Sequence, residues 1–142
     1  MASGHAPSEY LARVPLFAGL TARELAELAQ AGDELEAEAG RELVTEGRVG
    51  RECFLILEGE AVVRRGDQDV ARLGPGGYFG ELALLHRGPR SATVVADTDM
   101  RLFVLGQREF GGLVDSMPGL TSKLLTGLAQ RLRDADAETL TY

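Results

Sequence analysis

Residues 80–93 read Gly80-Glu81-Leu82-Ala83-Leu84-Leu85-His86-Arg87-Gly88-Pro89-Arg90-Ser91-Ala92-Thr93. A glycine, a carboxylate at the head of a short apolar run and an arginine nine positions after that carboxylate are the parts of an anion pocket. Gly80 lets backbone come close to a ligand, and Glu81-Leu82-Ala83-Leu84 can form one helical turn whose first amides face the pocket. Arg90 supplies the positive charge, because its planar guanidinium can grip two phosphate oxygens at once. Glu81 accepts hydrogen bonds from a neutral hydroxyl pair, such as a ribose edge, and would repel a second phosphate. Leu82, Leu84 and Leu85 would anchor the turn, while Gly80, Ala83, Ser91 and Ala92 are small where a self-contained element would want bulk. The bland alternative is a surface Glu–Arg pair, which contributes only about 0–1 kcal/mol.

The flanking sequence sets the pocket in a β framework. From Asp33 onward, Leu35 and Ala37 alternate with acidic residues, and Gly40, Gly47, Gly50, Gly59, Gly66 and Gly74 punctuate short runs. Strands are expected near 33–38, 42–45, 52–58, 60–65, 67–73, 91–96 and 99–105, with Glu58-Gly59 and Gly66-Asp67 as hairpin turns. Gly74-Pro75-Gly76-Gly77 leads into the pocket segment, which strands would hold from both sides. Before the strands, Thr21-Ala22-Arg23-Glu24 has capping-box spacing ahead of a helix over 22–31 that presents Leu25, Leu28 and Ala29 on one face. After them, a short helix over 107–114 precedes Pro118 and a longer helix with Leu120, Leu124, Leu128 and Leu132 in an i+4 stripe. That stripe suits a helix packed on its own domain, a mobile lid or a dimer seam equally well.

Phe79-Gly80-Glu81-Leu82-Ala83-Leu84-Leu85 followed by Arg90-Ser91-Ala92-Thr93 resembles the phosphate-binding cassette of the cyclic nucleotide-binding domain family. That family includes protein kinase A regulatory subunits and the bacterial catabolite activator. Gly40, Glu46-Gly47, Phe54-Leu55-Ile56-Leu57-Glu58-Gly59-Glu60 and Leu16-Phe17-Ala18-Gly19-Leu20 extend the likeness over roughly 14–136. The resemblance implies a mainly β fold with flanking helices, an eight-stranded β-roll of jelly-roll type (a double-stranded β-helix) with N-terminal helices and a C-terminal helical lid. It divides residues 1–142, read as one domain, into a frayed tail 1–9, N-terminal helices 10–31, a roll 33–105 carrying a cassette 79–93, and C-terminal helices 107–136.

The same resemblance implies the binding residues Phe79, Gly80, Glu81, Leu82, Ala83, Arg90, Ser91 and Ala92. Glu81 would accept the ribose 2′-hydroxyl, Arg90 would pair with the cyclic phosphate, and the amides of Ala83 and Ser91 would complete its shell. A 3′,5′-cyclic phosphate is a monoanion at neutral pH, so one guanidinium neutralises it without a metal. Serine at position 91 favours cAMP, with cGMP the alternative ligand. Phe54, Ile56 and Val70 are candidate walls for the base, as are Leu128, Arg131 and Leu132 from the last helix; for the first three, plain core packing is an equal reading.

Composition bounds the rest. A chain of 142 residues fits one domain, and 15 basic against 22 acidic residues, a net charge of −7, would repel nucleic acid. A single cysteine, Cys53, inside an apolar run suits a buried thiol in a reducing cytoplasm. No apolar run approaches the roughly 20 residues of a membrane span, and the N-terminus lacks signal-peptide order. Two histidines, His5 and His86, are too few for a cupin-type metal site, one cysteine is too few for an iron–sulfur cluster, and Ser91 has no histidine in legible relation for a triad. The expectation is therefore a non-enzymatic sensor without cofactor, acting on an unidentified effector protein as a monomer or as a homodimer through its last helix. Read to Tyr142 the chain offers no helix-turn-helix, so DNA binding is not expected to carry over from the activator branch. The alternative is a ligand-free protein-interaction module on the same fold.

Overall fold

In a computed structural model of the chain, residues 7–117 and 119–137 are described, except for the side chains of Pro15, Arg131 and 134–137. Helix α1 (Pro7–Leu11), a 3₁₀ turn (Pro15–Phe17) and α2 (Ala22–Ala31) lead into ten strands, and α3 (Gln107–Ser116) and α4 (Leu120–Ala137) follow them. The α1 helix starts inside the stretch 1–9 expected to fray, because Pro7 suits a first helical position and Tyr10 and Leu11 are buried anchors. Residues 1–6, Pro118 and 138–142 lie outside the described residues.

The strands are β1 (Asp33–Ala37), β2 (Glu42–Val44), β3 (Val49–Gly50), β4 (Glu52–Glu58), β5 (Ala61–Arg65), β6 (Gln68–Leu73), β7 (Tyr78–Phe79), β8 (Gly88–Pro89), β9 (Thr93–Ala96) and β10 (Met100–Gly106). They form two four-stranded antiparallel sheets, ordered β1-β10-β4-β7 and β2-β9-β5-β6, and a small β3-β8 ribbon. The architecture is mainly β with flanking helices, as the sequence implied, but it has ten strands rather than eight and the two sheets do not close into a barrel. Three of the ten, β3, β7 and β8, match none of the seven stretches expected as strands; each is two residues long, too short to show any alternation in sequence.

One expected hairpin is present and one is not. Arg65 pairs with Gln68, so Gly66-Asp67 closes a two-residue hairpin. Gly59 instead carries the chain from one sheet to the other, since β4 pairs with β10 and β7 while β5 pairs with β6 and β9. Apolar residues on both faces of β4 call for a layer on each side, and a hairpin to β5 would leave one face uncovered.

That central strand builds both cores. Period-two alternation sends Phe54 and Ile56 inward among Val63, Phe79, Val94 and Leu102, between the two sheets. Cys53, Leu55 and Leu57 point the other way, onto Leu11, Phe17, Leu28 and Phe110 of the helical layer. Thr21 caps α2 as its spacing predicts: the Glu24 amide donates to Thr21 Oγ1 at 3.2 Å and the Thr21 amide donates to Glu24 Oε1 at 2.8 Å.

The first half of α4 is docked on its own domain. Leu120 and Leu124 are buried, and a Cβ on Gly127 would fall against the Leu16 backbone, so the helix crosses the N-terminal 3₁₀ turn almost in backbone contact. Lys123 Nζ also donates to Glu24 Oε1 at 2.7 Å, tying α4 to α2. Leu125 and Leu132 lie on the exposed side.

Candidate functional site

Gly80 occupies the left-handed region at φ 77°, ψ 16°, and turns the chain from β7 into a 3₁₀ turn, Glu81–Leu84. A side chain there would be strained by its backbone and would meet the guanidinium of Arg90, with the Glu52 carbonyl oxygen 2.8 Å away. Gly50, on β3, is equally constrained, because the Arg90 side chain passes through the space its Cβ would fill, with Arg90 Cζ 2.5 Å from that position. Two glycines thus form a slot for one arginine.

Arg90 is held on three sides. Its amide donates to the Arg48 carbonyl at 2.7 Å and its carbonyl accepts from the Gly47 amide at 2.9 Å. The Nη2 atom donates to the Glu52 carbonyl at 2.9 Å, and the guanidinium lies over the Phe54 ring, 5.9 Å from its centroid. Phe54 in turn stacks on Phe79 at 4.9 Å, so the cation rests on a pair of buried rings. Burial draws the Arg90 pKa below the ordinary arginine value, partly opposed by the nearby Glu52 and Cys53; at neutral pH the group stays charged. Its described partners are a carbonyl and an aromatic face, neither carrying a formal charge.

A cavity of about 410 Å³ opens beside this cation. Gly80, Leu82, Ala83, Arg90 and Ser91 of the cassette line it, and Leu128 of α4 forms part of its wall. His86 also lines it, a residue that enters the sequence argument only as one of two histidines too few for a metal centre. Its signal was only its place four residues before Arg90.

Glu81 sits differently. It is 0% exposed, the one charged side chain buried among the described residues, and it lies under the turn and off the cavity wall. Its charge is close enough to raise the pKa of Cys53, whose thiol is pushed up first by burial, then by Glu81, against a smaller opposing effect of Arg90. The Ala83 amide is also committed, donating to the Gly80 carbonyl at 3.0 Å. Phe79 and Ala92 are buried beside the slot, in the inner core.

The candidate base walls are scattered. Phe54 and Ile56 are packed in the inner core and Val70 against it, and none of the three borders the 410 Å³ cavity. Leu128 does border it, Leu132 is 61% exposed, and the Arg131 side chain lies outside the described residues. Among the described residues no group of three or more His, Cys, Asp or Glu is placed to hold a metal ion, and no helix is long and apolar enough to cross a membrane.

A two-sheet roll holding a guanidinium at the wall of a mostly apolar cavity has the chemistry of a small-molecule anion site. Comparison with known proteins gives that class a family. Residues 34–117 match the family described as the cyclic nucleotide-binding domain. The chain is 36% identical over 124 residues to a cAMP-dependent protein kinase regulatory subunit of Mycosarcoma maydis, covering 81% of this chain and 24% of that protein. The N-terminal domain of a transcriptional regulator from Streptomyces coelicolor A3(2) superposes with a TM-score of 0.82 at 32% identity, covering 91% of this chain and 96% of that one. The catabolite activator protein of Thermus thermophilus does so at 0.73 and 32% identity, covering 88% of this chain and 61% of that one. The chain belongs to the cyclic nucleotide-binding domain family. It spans about a quarter of the length of the protein kinase regulatory subunits it matches.

Proposed function

We propose that this domain is a non-catalytic sensor of a 3′,5′-cyclic nucleotide, with cAMP preferred over cGMP, bound in the 410 Å³ cavity and read out through the cassette and α4. The observation that carries the reading is the Arg90 slot: Gly50 and Gly80 are shaped around a guanidinium whose single charge matches a cyclic phosphate monoanion. Ser91 lies on the same wall, where its amide completes the phosphate shell.

The buried position of Glu81 and the bonded amide of Ala83 give the reading a mechanism. For Glu81 to accept a ribose hydroxyl, and for Ala83 to donate to the phosphate, the Gly80–Leu84 turn must open and surrender its bond to the Gly80 carbonyl. Leu84 at the end of that turn and Leu85 just after it border a second, apolar cavity with Phe110 of α3 and Leu124 of α4, so a move of the turn changes what the C-terminal helices pack against. Ligand then shifts the helices by its difference in affinity for the two arrangements, and by no more. The effector is an unidentified protein contacting the rearranged helices in the cytoplasm. A homodimer through α4 would use Leu125 and Leu132, and sedimentation at two protein concentrations separates it from a monomer.

Titration calorimetry with cAMP and cGMP tests the proposal directly. Saturable heat with tighter cAMP binding is expected, and full recovery of intact nucleotide after long incubation is expected of a sensor. No heat and no thermal shift with either ligand would leave the interaction-module reading standing instead.

A further inference from the structure

Arg90 borders a second cavity as well, of about 300 Å³, and is the one lining residue that the two share. Arg48 and Arg51 line this outer cavity with it, together with Thr45, Val49 and Glu52. Their backbones are fixed: the Arg48 carbonyl accepts the Arg90 amide at 2.7 Å, the Arg51 carbonyl accepts the Gln107 amide at 2.8 Å, and Val49 between them pairs with Pro89. Arg23, Arg64, Arg72 and Arg101 are each ion-paired to a carboxylate, whereas among the described residues Arg48 and Arg51 form no such pair. Three cations and the single carboxylate of Glu52 leave the outer cavity with a formal charge of about +2. This lies on a chain whose net charge is −7. Like charges gathered at one cavity repel one another, and a multivalent anion that bridges them relieves the repulsion.

We infer that Arg48, Arg51 and Arg90 form a second anion site, for a pyrophosphate group, on the outer side of the guanidinium that serves the cyclic nucleotide. Arginine forks suit phosphate oxygens, and the space exceeds what a single phosphate fills. Exposed Val49 at its rim offers an apolar contact to whatever carries the group. Because Arg90 lines both cavities, a pyrophosphate in the outer one draws on the same cation and adds negative charge beside it, weakening the nucleotide. By linkage the nucleotide weakens the pyrophosphate by an equal factor. Only this coupling rests on the function proposed above; the outer site stands without it.

Pyrophosphate binding is measured by calorimetry and thermal shift on the wild-type chain and on Arg48→Gln/Arg51→Gln, with chloride at matched ionic strength as control. Saturable binding to the wild type, at least tenfold weaker in the double variant, is the expected result. No binding, equal binding by both proteins, or the same thermal shift with chloride would overturn the site. Both arginines are exposed, so the double variant should melt with the wild type in the absence of pyrophosphate; if it melts early, Arg51→Gln alone serves. ADP in place of pyrophosphate identifies the source: tighter binding that the double substitution abolishes assigns a nucleotide-borne group, and equal or weaker binding assigns the free anion. Titrating cAMP with and without saturating pyrophosphate should show a several-fold loss of affinity in the wild type and none in the double variant. Unchanged cAMP affinity in the wild type would overturn the coupling, whereas pyrophosphate binding without any cAMP binding would overturn the sensor reading and leave the outer site intact.

Discussion

The two ends of the cassette are built to different specifications. At its C-terminal end Arg90 is set in a slot of glycine and aromatic surface, faces open space and has no formal anion among its described partners. At its N-terminal end the Gly80–Leu84 turn is folded in on itself, with Glu81 buried and the Ala83 amide bonded to Gly80. A charge already in place gives affinity, and groups that must move before they can act give a signal. The division also has a cost side: a guanidinium tolerates partial burial against a carbonyl and a ring, whereas full burial of a carboxylate carries a larger desolvation cost.

The largest effect should come from removing the fixed end. Arg90→Ala is expected to weaken cyclic nucleotide binding by about 2 kcal/mol or more, roughly thirtyfold, the low end of the range because the side chain is only partly buried. Calorimetry on the variant checks this, and an unchanged Kd would mean the phosphate is placed wrongly.

Gly80→Ala strikes the joint between the two ends. Its positive φ and the contact with the Arg90 guanidinium should together cost about 1–3 kcal/mol of folding stability, and binding should fall as the arginine is displaced. Denaturant unfolding reads the first and calorimetry the second; a wild-type midpoint would contradict the slot.

Glu81→Gln addresses the covered end alone. The preference for cAMP over its 2′-deoxy analogue should shrink, because the amide accepts a ribose hydroxyl less well than the carboxylate it replaces. Wild-type protein that binds the two ligands equally would remove Glu81 from the ribose.

The smallest effect concerns Cys53, beneath both ends. Its folded pKa is raised from the ordinary value of 9.0, so above about pH 9 the unfolded chain loses a proton that the native state keeps. Stability from this group is whole below that pH and falls as pH rises, at up to about 1.4 kcal/mol per pH unit. The difference in unfolding free energy between wild type and Cys53→Ala should be flat to pH 8 and decline above pH 9. A difference that stays flat to pH 10 would mean the thiol is not shielded as drawn.

How much of this was written in the chain varies from place to place. The capping box at Thr21 and Glu24, the Gly66-Asp67 hairpin and β4 at Glu52–Glu58 were legible, because each depends on neighbours within a few residues. The Gly59 crossing, the two-residue strands and the Gly50 slot were not, since each exists only because a distant segment arrives beside it. Gly50 in particular reads as one more loop glycine until Arg90, forty positions on, occupies the space above it. His86 and the basic outer cavity were missed for the same reason.

By itself, the sequence determined which residues carry charge into the cassette and which strands and helices surround it, since propensity, alternation and capping act over short stretches of chain. Only the tertiary structure decided that Arg90 is set while Glu81 is covered, and that Arg48 and Arg51 join Arg90 on its outer side. Burial and convergence of charge are properties of packing, created when remote segments exclude water from one another, and no local pattern of residues encodes them.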